Sequence, residues 1–308
     1  MSKDIVVNFV SRRIEHHSRY SGYQRLMEFI PNSRTVDSTI LPRLFQLVDN
    51  RVFHSVIWRV AGVRYYSPQA FLAEVAAIRL AQRTSGQIFH FVWGDDMYRF
   101  AGVLKRLLCA DARLICTFHQ PPSYLLRFIR SLRHLEYLDA VVIVGHNQYG
   151  VVSNYVDGEK IFFVPHGVDT DFFHPHEGNK PGEDNFVCIT VGQWLRDFDT
   201  LRRVIRIVNM ERIAMQFVVV TQPGNFHFFQ DCIGVECKSG IDDFSLRGLY
   251  ERADVLLLPF LDCTANNSLL EGMACGLPVV VTDVGGSRDY VDDSCACLLY
   301  TSPSPRDS

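Results

Sequence analysis

The sequence contains no apolar run near the roughly 18 residues that a helix needs to cross a membrane. The longest candidates are residues 253–261, which Asp254 and Pro259 interrupt, and residues 277–282. The first ten residues also lack the basic start and long apolar centre of a secretory signal peptide. These absences predict a cytoplasmic protein.

The cysteines lack the spacing that is typical of a zinc site or a disulfide framework. The chain has nine of them, and no two are spaced as in Cys-x-x-Cys. Zinc sites and disulfide frameworks need paired, regularly spaced cysteines. The sequence therefore predicts reduced thiols and no cysteine-based metal site.

A surplus of basic residues is also missing. The chain carries 31 Lys+Arg against 34 Asp+Glu, a formal net charge of -3. Nucleic-acid-binding domains usually have a basic surplus, so we expect no nucleic-acid partner. The composition, 47% hydrophobic and 21% charged over 308 residues, excludes a disordered chain and a small disulfide scaffold. The length predicts two domains.

Short β-branched runs alternate with helical patterns along most of the chain. The predicted strands are residues 5–9, 87–93, 113–118, 140–144, 160–164, 186–191, 215–220, 255–258 and 278–282. The predicted helices are residues 68–83, 99–108, 123–135, 199–209, 245–252 and 267–275. This alternation predicts an α/β fold with parallel sheets covered by helices on both faces.

A polar segment rich in proline and glycine, residues 174–185, separates two such regions. We therefore predict an N-terminal Rossmann-like domain over residues 1–173, a linker over 174–185 and a C-terminal domain over 186–296. In doubly wound sheets ligands bind at the carboxyl ends of the strands, and here also in the cleft between the domains.

The last part of the chain, residues 297–308, reads CLLYTSPSPRDS and does not continue the α/β pattern. Its Ser/Pro end resembles a translated sequencing adapter. This interpretation predicts a non-native tail and a C-terminal domain truncated after about residue 296. A genuine frayed terminus is the alternative.

The most informative segment is residues 256–291. A predicted strand ends at Pro259, and a polar loop leads to Asn266, Asn267 and Ser268, which are good N-caps for the next helix. The start of a helix offers free N–H groups and a positive dipole end, which suit a phosphate. Glu271 lies one turn inside, where a carboxylate can accept hydrogen bonds from vicinal hydroxyls.

This segment resembles the donor-binding signature of glycosyltransferase family 4, whose members adopt the GT-B fold. Four weaker similarities follow the family's order: residues 21–23, 117–120, 164–169 and 191–197. The resemblance implies two doubly wound, Rossmann-like domains that face a cleft. It also implies a hexosyltransferase-type glycosyltransferase that moves a sugar from a nucleotide-sugar to an acceptor hydroxyl.

The resemblance assigns roles to particular residues. Glu271 matches the second of two family glutamates and is expected to hold the ribose, whereas Cys263 replaces the first, which contacts the donor sugar. His119 and Arg196 are the implied catalytic residues: His119 contacts the sugar or positions the acceptor, and Arg196 neutralises the diphosphate. The implied donor-binding residues are Gly192, Arg196, Asp243, Asn266, Asn267, Ser268, Leu269 and Glu271.

The resemblance implies that the anomeric configuration of the sugar is retained. The implied transfer reaction needs no metal ion. It implies no cofactor beyond the UDP-, GDP- or ADP-linked sugar. The acceptor is a glycan, a lipid-linked molecule or a small molecule, in glycan, glycolipid or cell-surface polysaccharide synthesis. The acidic pairs at residues 95–96 and 242–243 lack the context of a metal site.

Two alternatives remain at this point. Cys263 is compatible with a non-catalytic subunit that binds sugar nucleotides, and the fold also serves enzymes such as sugar-nucleotide epimerases. A second open question concerns Arg127, Arg130 and Arg133, which recur at helical spacing. They form either a solvated face or a weak peripheral contact with the inner face of a membrane.

Overall fold

A computed structural model describes residues 5–11, 18–37, 50–176 and 185–300. The chain divides into two compact units. The first comprises residues 1–15 and 26–165, and the second comprises residues 16–25 and 166–308. Most of the predicted linker, residues 177–184, lies outside the described residues, as do residues 301–308 of the predicted tail.

The first unit is built on a parallel sheet of six strands: β1 (Val7–Val10), β2 (Ser33–Val36), β3 (Gln87–Phe91), β4 (Ala112–Phe118), β5 (Ala140–Ile143) and β6 (Ile161–Phe163). Their order is β2-β1-β3-β4-β5-β6. The helices of this unit are α2 (Arg51–Ala61), α3 (Pro68–Arg83), α4 (Gly94–Met97), α5 (Ala101–Leu107), α6 (Pro122–Phe128) and α7 (Tyr149–Val152). Helix α1 (Gly22–Met27) begins in the segment that belongs to the second unit.

The second unit contains another parallel sheet of six strands: β7 (Phe186–Val191), β8 (Met215–Val220), β9 (Val235–Lys238), β10 (Val255–Leu258), β11 (Val279–Thr282) and β12 (Cys297–Leu299). Their order is β12-β11-β10-β7-β8-β9. Its helices are α8 (Phe198–Met210), α9 (Asp243–Arg252) and α10 (Asn267–Ala274). The predicted α/β fold with parallel sheets is therefore confirmed.

The inner strands of the second sheet, such as β7, β10 and β11, are buried on both faces, which explains their largely apolar sequences. Leu256 and Leu258 point into a cluster with Tyr250 and Leu269 on one face. Leu257, between them, packs with α8 on the other face. Successive side chains of a strand alternate between the faces, so both faces need apolar residues.

Residues 16–25 join the second unit through several contacts. The Tyr20 ring stacks on Phe172, with centroids 3.6 Å apart. The Gly22 N–H donates to the Gly167 carbonyl at 2.9 Å, and Arg25 forms an ion pair of 2.6 Å with Asp169. The first unit thus ends at Pro165, earlier than the predicted boundary at residue 173, and the second unit includes a segment distant in sequence.

The predicted helix over residues 123–135 is confirmed only as far as Phe128. Helix α6 ends at Phe128 because the next residues pair with another segment. Ile129 forms a bridge with Val63, and the Arg130 N–H donates to the Gly62 carbonyl at 2.8 Å. Arg127, Arg130 and Arg133 consequently do not share one helical face.

The structure also places residues 297–299 in the sheet, where they pair in parallel with β11. They belong to the predicted non-native tail, residues 297–308. The strand contains two leucines, of which Leu298 is buried. The second sheet therefore extends one strand beyond the predicted end of the domain.

Candidate functional site

The strand order of the second sheet reverses between β7 and β10, which are neighbours. The connections that follow these two strands leave the sheet in opposite directions, and a crevice for a ligand forms at such a point. The loop after β7 contains Gly192 and Arg196, and the loop after β10 leads to Asn266. Several residues selected from the sequence therefore meet at one edge of the sheet.

Asn266, one of the three predicted N-cap candidates, is the N-cap of helix α10. Its backbone is extended, and its side-chain oxygen accepts the Leu269 N–H at 3.1 Å. The N–H groups of Asn267 and Ser268 have no acceptor among the described residues. Since the dipole also makes this end positive, the start of α10 suits an anion.

Arg196 is buried and lies against the same helix start. Its Nη2 is 3.1 Å from Ser268 Oγ and 3.3 Å from Asn266 Oδ1. Nη2 and Nε also donate to the Val191 carbonyl, at 2.6 and 3.0 Å, and the guanidinium lies over the Phe260 ring at 4.6 Å. Burial lowers its pKa to about 10, so the side chain keeps its charge at neutral pH. Arg196 thus orients the helix start and adds positive charge to it.

Because Gly192 has no side chain, the guanidinium of Arg196 can lie against its backbone. A Cβ atom on Gly192 would lie 2.6 Å from Arg196 Nη2, and the φ angle of Gly192 is +103°. Both the backbone conformation and the close approach require glycine here.

Glu271 is 4% exposed and has two hydroxyl partners. Ser21 Oγ donates to Oε1 at 2.5 Å, and Tyr250 Oη donates to Oε2 at 3.0 Å. Burial raises the pKa of Glu271, while both hydrogen bonds oppose that rise. A carboxylate has about four acceptor positions, so each oxygen keeps one for another donor.

Asn267 contacts a histidine that sequence reasoning did not assign a role. Its Oδ1 accepts a hydrogen bond from His166 Nδ1 at 3.0 Å. Burial lowers the pKa of His166 to about 4, so its ring is neutral at pH 7. A Cβ on Gly22 would lie 2.7 Å from the Asn267 amide nitrogen. Gly22 and His166 lie in the loop at residues 21–23 and the motif at residues 164–169. Both segments were noted in the sequence as weaker similarities to the family.

Leu269 and Asp243 lie at the edge of this arrangement. The Leu269 side chain is 1% exposed in the core, and its N–H already donates to Asn266. Asp243 begins helix α9, and its Oδ2 accepts the Arg19 N–H at 3.1 Å. The structure brings Gly192, Arg196, Asn266, Ser268 and Glu271 together, with Asn267 on the same helix.

Cys263 is buried at the position of the missing glutamate. Its Sγ lies 3.3 Å from the Val284 carbonyl oxygen and 3.2 Å from Ser287 Oγ. Asp262 Oδ1 accepts the backbone N–H of Cys263 at 2.8 Å. The thiol therefore packs against the loop after β11.

His119 belongs to the first unit, where it follows β4. Its backbone N–H donates to Asp95 Oδ2 at 2.9 Å, and its Nε2 lies 2.7 Å from the Val92 carbonyl. The Trp93 ring is 4.4 Å from its ring, centroid to centroid. Burial raises the pKa of Asp95 to about 7. The loop of His119 is thus held by a carboxyl group that titrates near neutral pH.

No group of three or more His, Cys, Asp or Glu side chains in the described ranges is placed to hold a metal ion. None of the helices in the described part of the chain has the length and apolar character that a membrane span requires.

Comparison with known sequences supports a glycosyltransferase-like second unit. Residues 185–307 match the sequence model of the family described as Glycosyl transferases group 1. The chain is also 27% identical over 159 residues to the MMP alpha-(1->4)-mannosyltransferase of Mycolicibacterium hassiacum. That match covers 49% of this chain and 38% of the relative, so the chain spans less than half of that protein.

Solved structures share the fold. An alpha,alpha-trehalose-phosphate synthase (UDP-forming) from Burkholderia vietnamiensis aligns with a TM-score of 0.62 at 11% identity, over 96% of this chain and 86% of that one. A glycosyltransferase from Rickettsia africae aligns with a TM-score of 0.61 at 14% identity, over 99% and 85%. At such identities the likeness concerns the fold alone. It confirms the predicted GT-B class with its two Rossmann-like sheets.

Proposed function

We propose that this chain transfers a sugar from a nucleotide-sugar to an acceptor hydroxyl, with retention of configuration and without a metal ion. The observation that carries the proposal is the geometry of α10. One helix combines two N–H groups at its start, for which the described residues supply no acceptor, with a buried carboxylate one turn later. Phosphate oxygens and ribose hydroxyls are the complementary groups of a nucleoside diphosphate.

The second unit would hold the leaving group. The helix start and Arg196 would neutralise the charge that develops on the diphosphate as the glycosidic bond breaks, and this preorganised field lowers the barrier. Because Arg196 is fixed by Val191 and Ser268, it needs little reorganisation during the reaction. His119 would position the acceptor hydroxyl or contact the transferred sugar.

The first experiment is a thermal-shift panel with UDP, GDP, ADP and CMP. We expect one nucleoside diphosphate to raise the melting temperature, because a ligand at 100 times its Kd stabilises the native state by about 2.7 kcal/mol. The shift should persist with a chelator present. Product analysis with the matching nucleotide-sugar then tests transfer and its stereochemistry. A panel without any shift contradicts the donor site.

The Tyr250→Phe variant tests whether the hydrogen bond from Tyr250 keeps the Glu271 carboxylate ready for the nucleotide. The variant loses the hydrogen bond to Glu271 Oε2, so we expect nucleotide affinity to fall about tenfold, since a hydrogen bond to a charged group contributes ~1.5–3 kcal/mol. The lost bond favoured the ionised form, so the pKa of Glu271 rises further. As the pH is lowered, the variant should therefore lose affinity at a higher pH than the wild type.

Tyr300→Phe is the matched control, because Tyr300 is 72% exposed in the same unit. It should leave both the affinity and its pH midpoint unchanged. A Tyr250→Phe protein with weaker binding but an unmoved midpoint would contradict a role through Glu271.

A second candidate function is a non-catalytic subunit that binds the nucleotide-sugar. The buried Cys263 favours it, since its thiol faces the loop after β11 rather than supplying a carboxylate for the sugar. Turnover by the natural chain separates the two functions. Measurable transfer excludes the binding subunit, whereas nucleotide binding without transfer, rescued by Cys263→Glu, supports it.

A further inference from the structure

Helix α2, in the first unit, presents an exposed row of valines. Val52, Val56 and Val60 are 73%, 52% and 62% exposed. Residues four positions apart lie above one another on a helix, so the three form a continuous apolar line. Ile57 and Ala61 are buried, which shows that the helix packs through a different face.

The local sequence holds this helix in place at both ends. Asn50 caps its start by accepting the Phe53 N–H at 2.9 Å. Gly62 ends it with a φ of +66° and donates its N–H to the Trp58 carbonyl at 3.1 Å. The valine row and Trp58, itself 47% exposed, are therefore displayed on an ordered element.

A second exposed apolar segment adjoins the end of α2. The Arg64 N–H donates to the Phe128 carbonyl at 2.8 Å, which ties residues 62–64 to the end of α6. The Tyr65 ring stands edge-on to Phe128 at 5.2 Å. Tyr65 and Leu126 are 51% and 58% exposed.

The two parts of the chain that contain these exposed side chains carry arginines but no acidic residues. Neither residues 51–73 nor residues 112–135 contain Asp, Glu or Lys, although the whole chain has a net charge of -3. Besides Arg113 in β4, their exposed arginines are Arg51, Arg59, Arg64, Arg127, Arg130 and Arg133. We call these arginines, the valine row, Trp58, Tyr65 and Leu126 the arginine–valine surface.

We propose that the arginine–valine surface docks on a membrane containing anionic phospholipids. Arginines next to exposed valine, tryptophan and tyrosine side chains match an interface in which phosphate groups lie beside acyl chains. A nucleic acid would use the charges but leave the apolar row in water. The proposal is independent of the proposed glycosyl transfer, because every residue in it belongs to the first unit.

Vesicle co-sedimentation of the full chain tests the docking. We expect binding to vesicles of phosphatidylcholine and phosphatidylglycerol in equal parts, little binding to phosphatidylcholine alone, and a decrease as salt is raised. Equal binding to both vesicle types, or none to either, overturns the proposal. So does heparin that captures the protein as well as the anionic vesicles do.

The triple variant Arg59→Gln, Arg127→Gln, Arg133→Gln tests the charges. Each arginine near an anionic surface contributes about fivefold to partitioning, so we expect a loss of about a hundredfold. The matched control is Arg79→Gln, Arg83→Gln, Arg106→Gln, which removes three exposed arginines elsewhere in the same unit. Equal losses in both triple variants would show a general charge effect and overturn the assignment to this surface.

The contribution of the valine row and Trp58 can be measured separately from that of the arginines. Trp58 emission should shift to shorter wavelength with anionic vesicles, and Trp58→Phe should abolish that shift while Trp194→Phe retains it. Val56→Gln with Val60→Gln should weaken vesicle binding severalfold at unchanged salt dependence, because the charges remain. Unchanged binding by the valine variant would mean that the apolar row does not enter the membrane, which contradicts the proposal.

Discussion

Glu271→Gln is expected to lower the affinity for the nucleoside diphosphate about fiftyfold. The wild-type carboxylate is buried, and each of its oxygens keeps an acceptor position beside the hydroxyl of Ser21 or Tyr250. A charged acceptor contributes ~1.5–3 kcal/mol per hydrogen bond, and the neutral amide also replaces one oxygen with an NH₂ group. Isothermal titration calorimetry measures the loss.

The expected loss depends on the ribose. A 2′,3′-dideoxy nucleotide lacks both hydroxyls, so wild type and Glu271→Gln should bind it with equal, weak affinity. Glu211→Gln serves as the matched variant, because Glu211 is an exposed glutamate in the same unit and should behave as wild type. If Glu271→Gln weakens the ribo- and dideoxynucleotides by the same factor, the carboxylate does not contact the ribose.

Gly192→Ala is expected to destabilise the second unit by ~2–4 kcal/mol and to weaken nucleotide binding. A left-handed φ costs a non-glycine residue ~1–3 kcal/mol, and the φ of Gly192 is +103°. The new methyl group would also lie 2.6 Å from Arg196 Nη2 and displace the guanidinium from Ser268. Urea titration with hydrogen exchange of second-unit peptides measures the stability.

Gly240→Ala separates the two causes. Gly240 has a φ of +62°, but no heavy atom lies within 4 Å of its added Cβ. This variant should show the backbone cost alone, about 1 kcal/mol, with normal nucleotide binding. If the two alanine variants were equally stable and bound nucleotide equally well, the position of Arg196 would not depend on Gly192.

The central strands and the longest helix could be predicted closely from sequence. β7, β8 and β10 have the predicted bounds, as does helix α3. Strands buried on both faces are largely apolar, and α3 has a Ser67 cap followed by proline. β2 and β9 were missed because they lie at sheet edges and contain polar residues such as Arg34 and Lys238.

The donor-side residues of α10 could be selected from one segment, because a helix start and a carboxylate one turn later are local patterns. The partners that hold them are not local. Ser21 and His166 reach α10 only through the fold, and no spacing rule connects them to Glu271 or Asn267. The direction of Cys263 and the burial of Arg196 likewise depend on packing around the loops after β7, β10 and β11. Contact of these residues with a donor remains a prediction.

The second unit is discontinuous in the chain, and this has a consequence for synthesis on the ribosome. Ser21 leaves the ribosome long before Glu271, its hydrogen-bond partner 250 positions later. At ~5–20 residues per second, Ser21 waits on the order of ten to fifty seconds for that partner. The segment around Ser21 thus spends the whole translation of the first unit without its final contacts. The second unit can close around Glu271 only after all residues up to that position have been made.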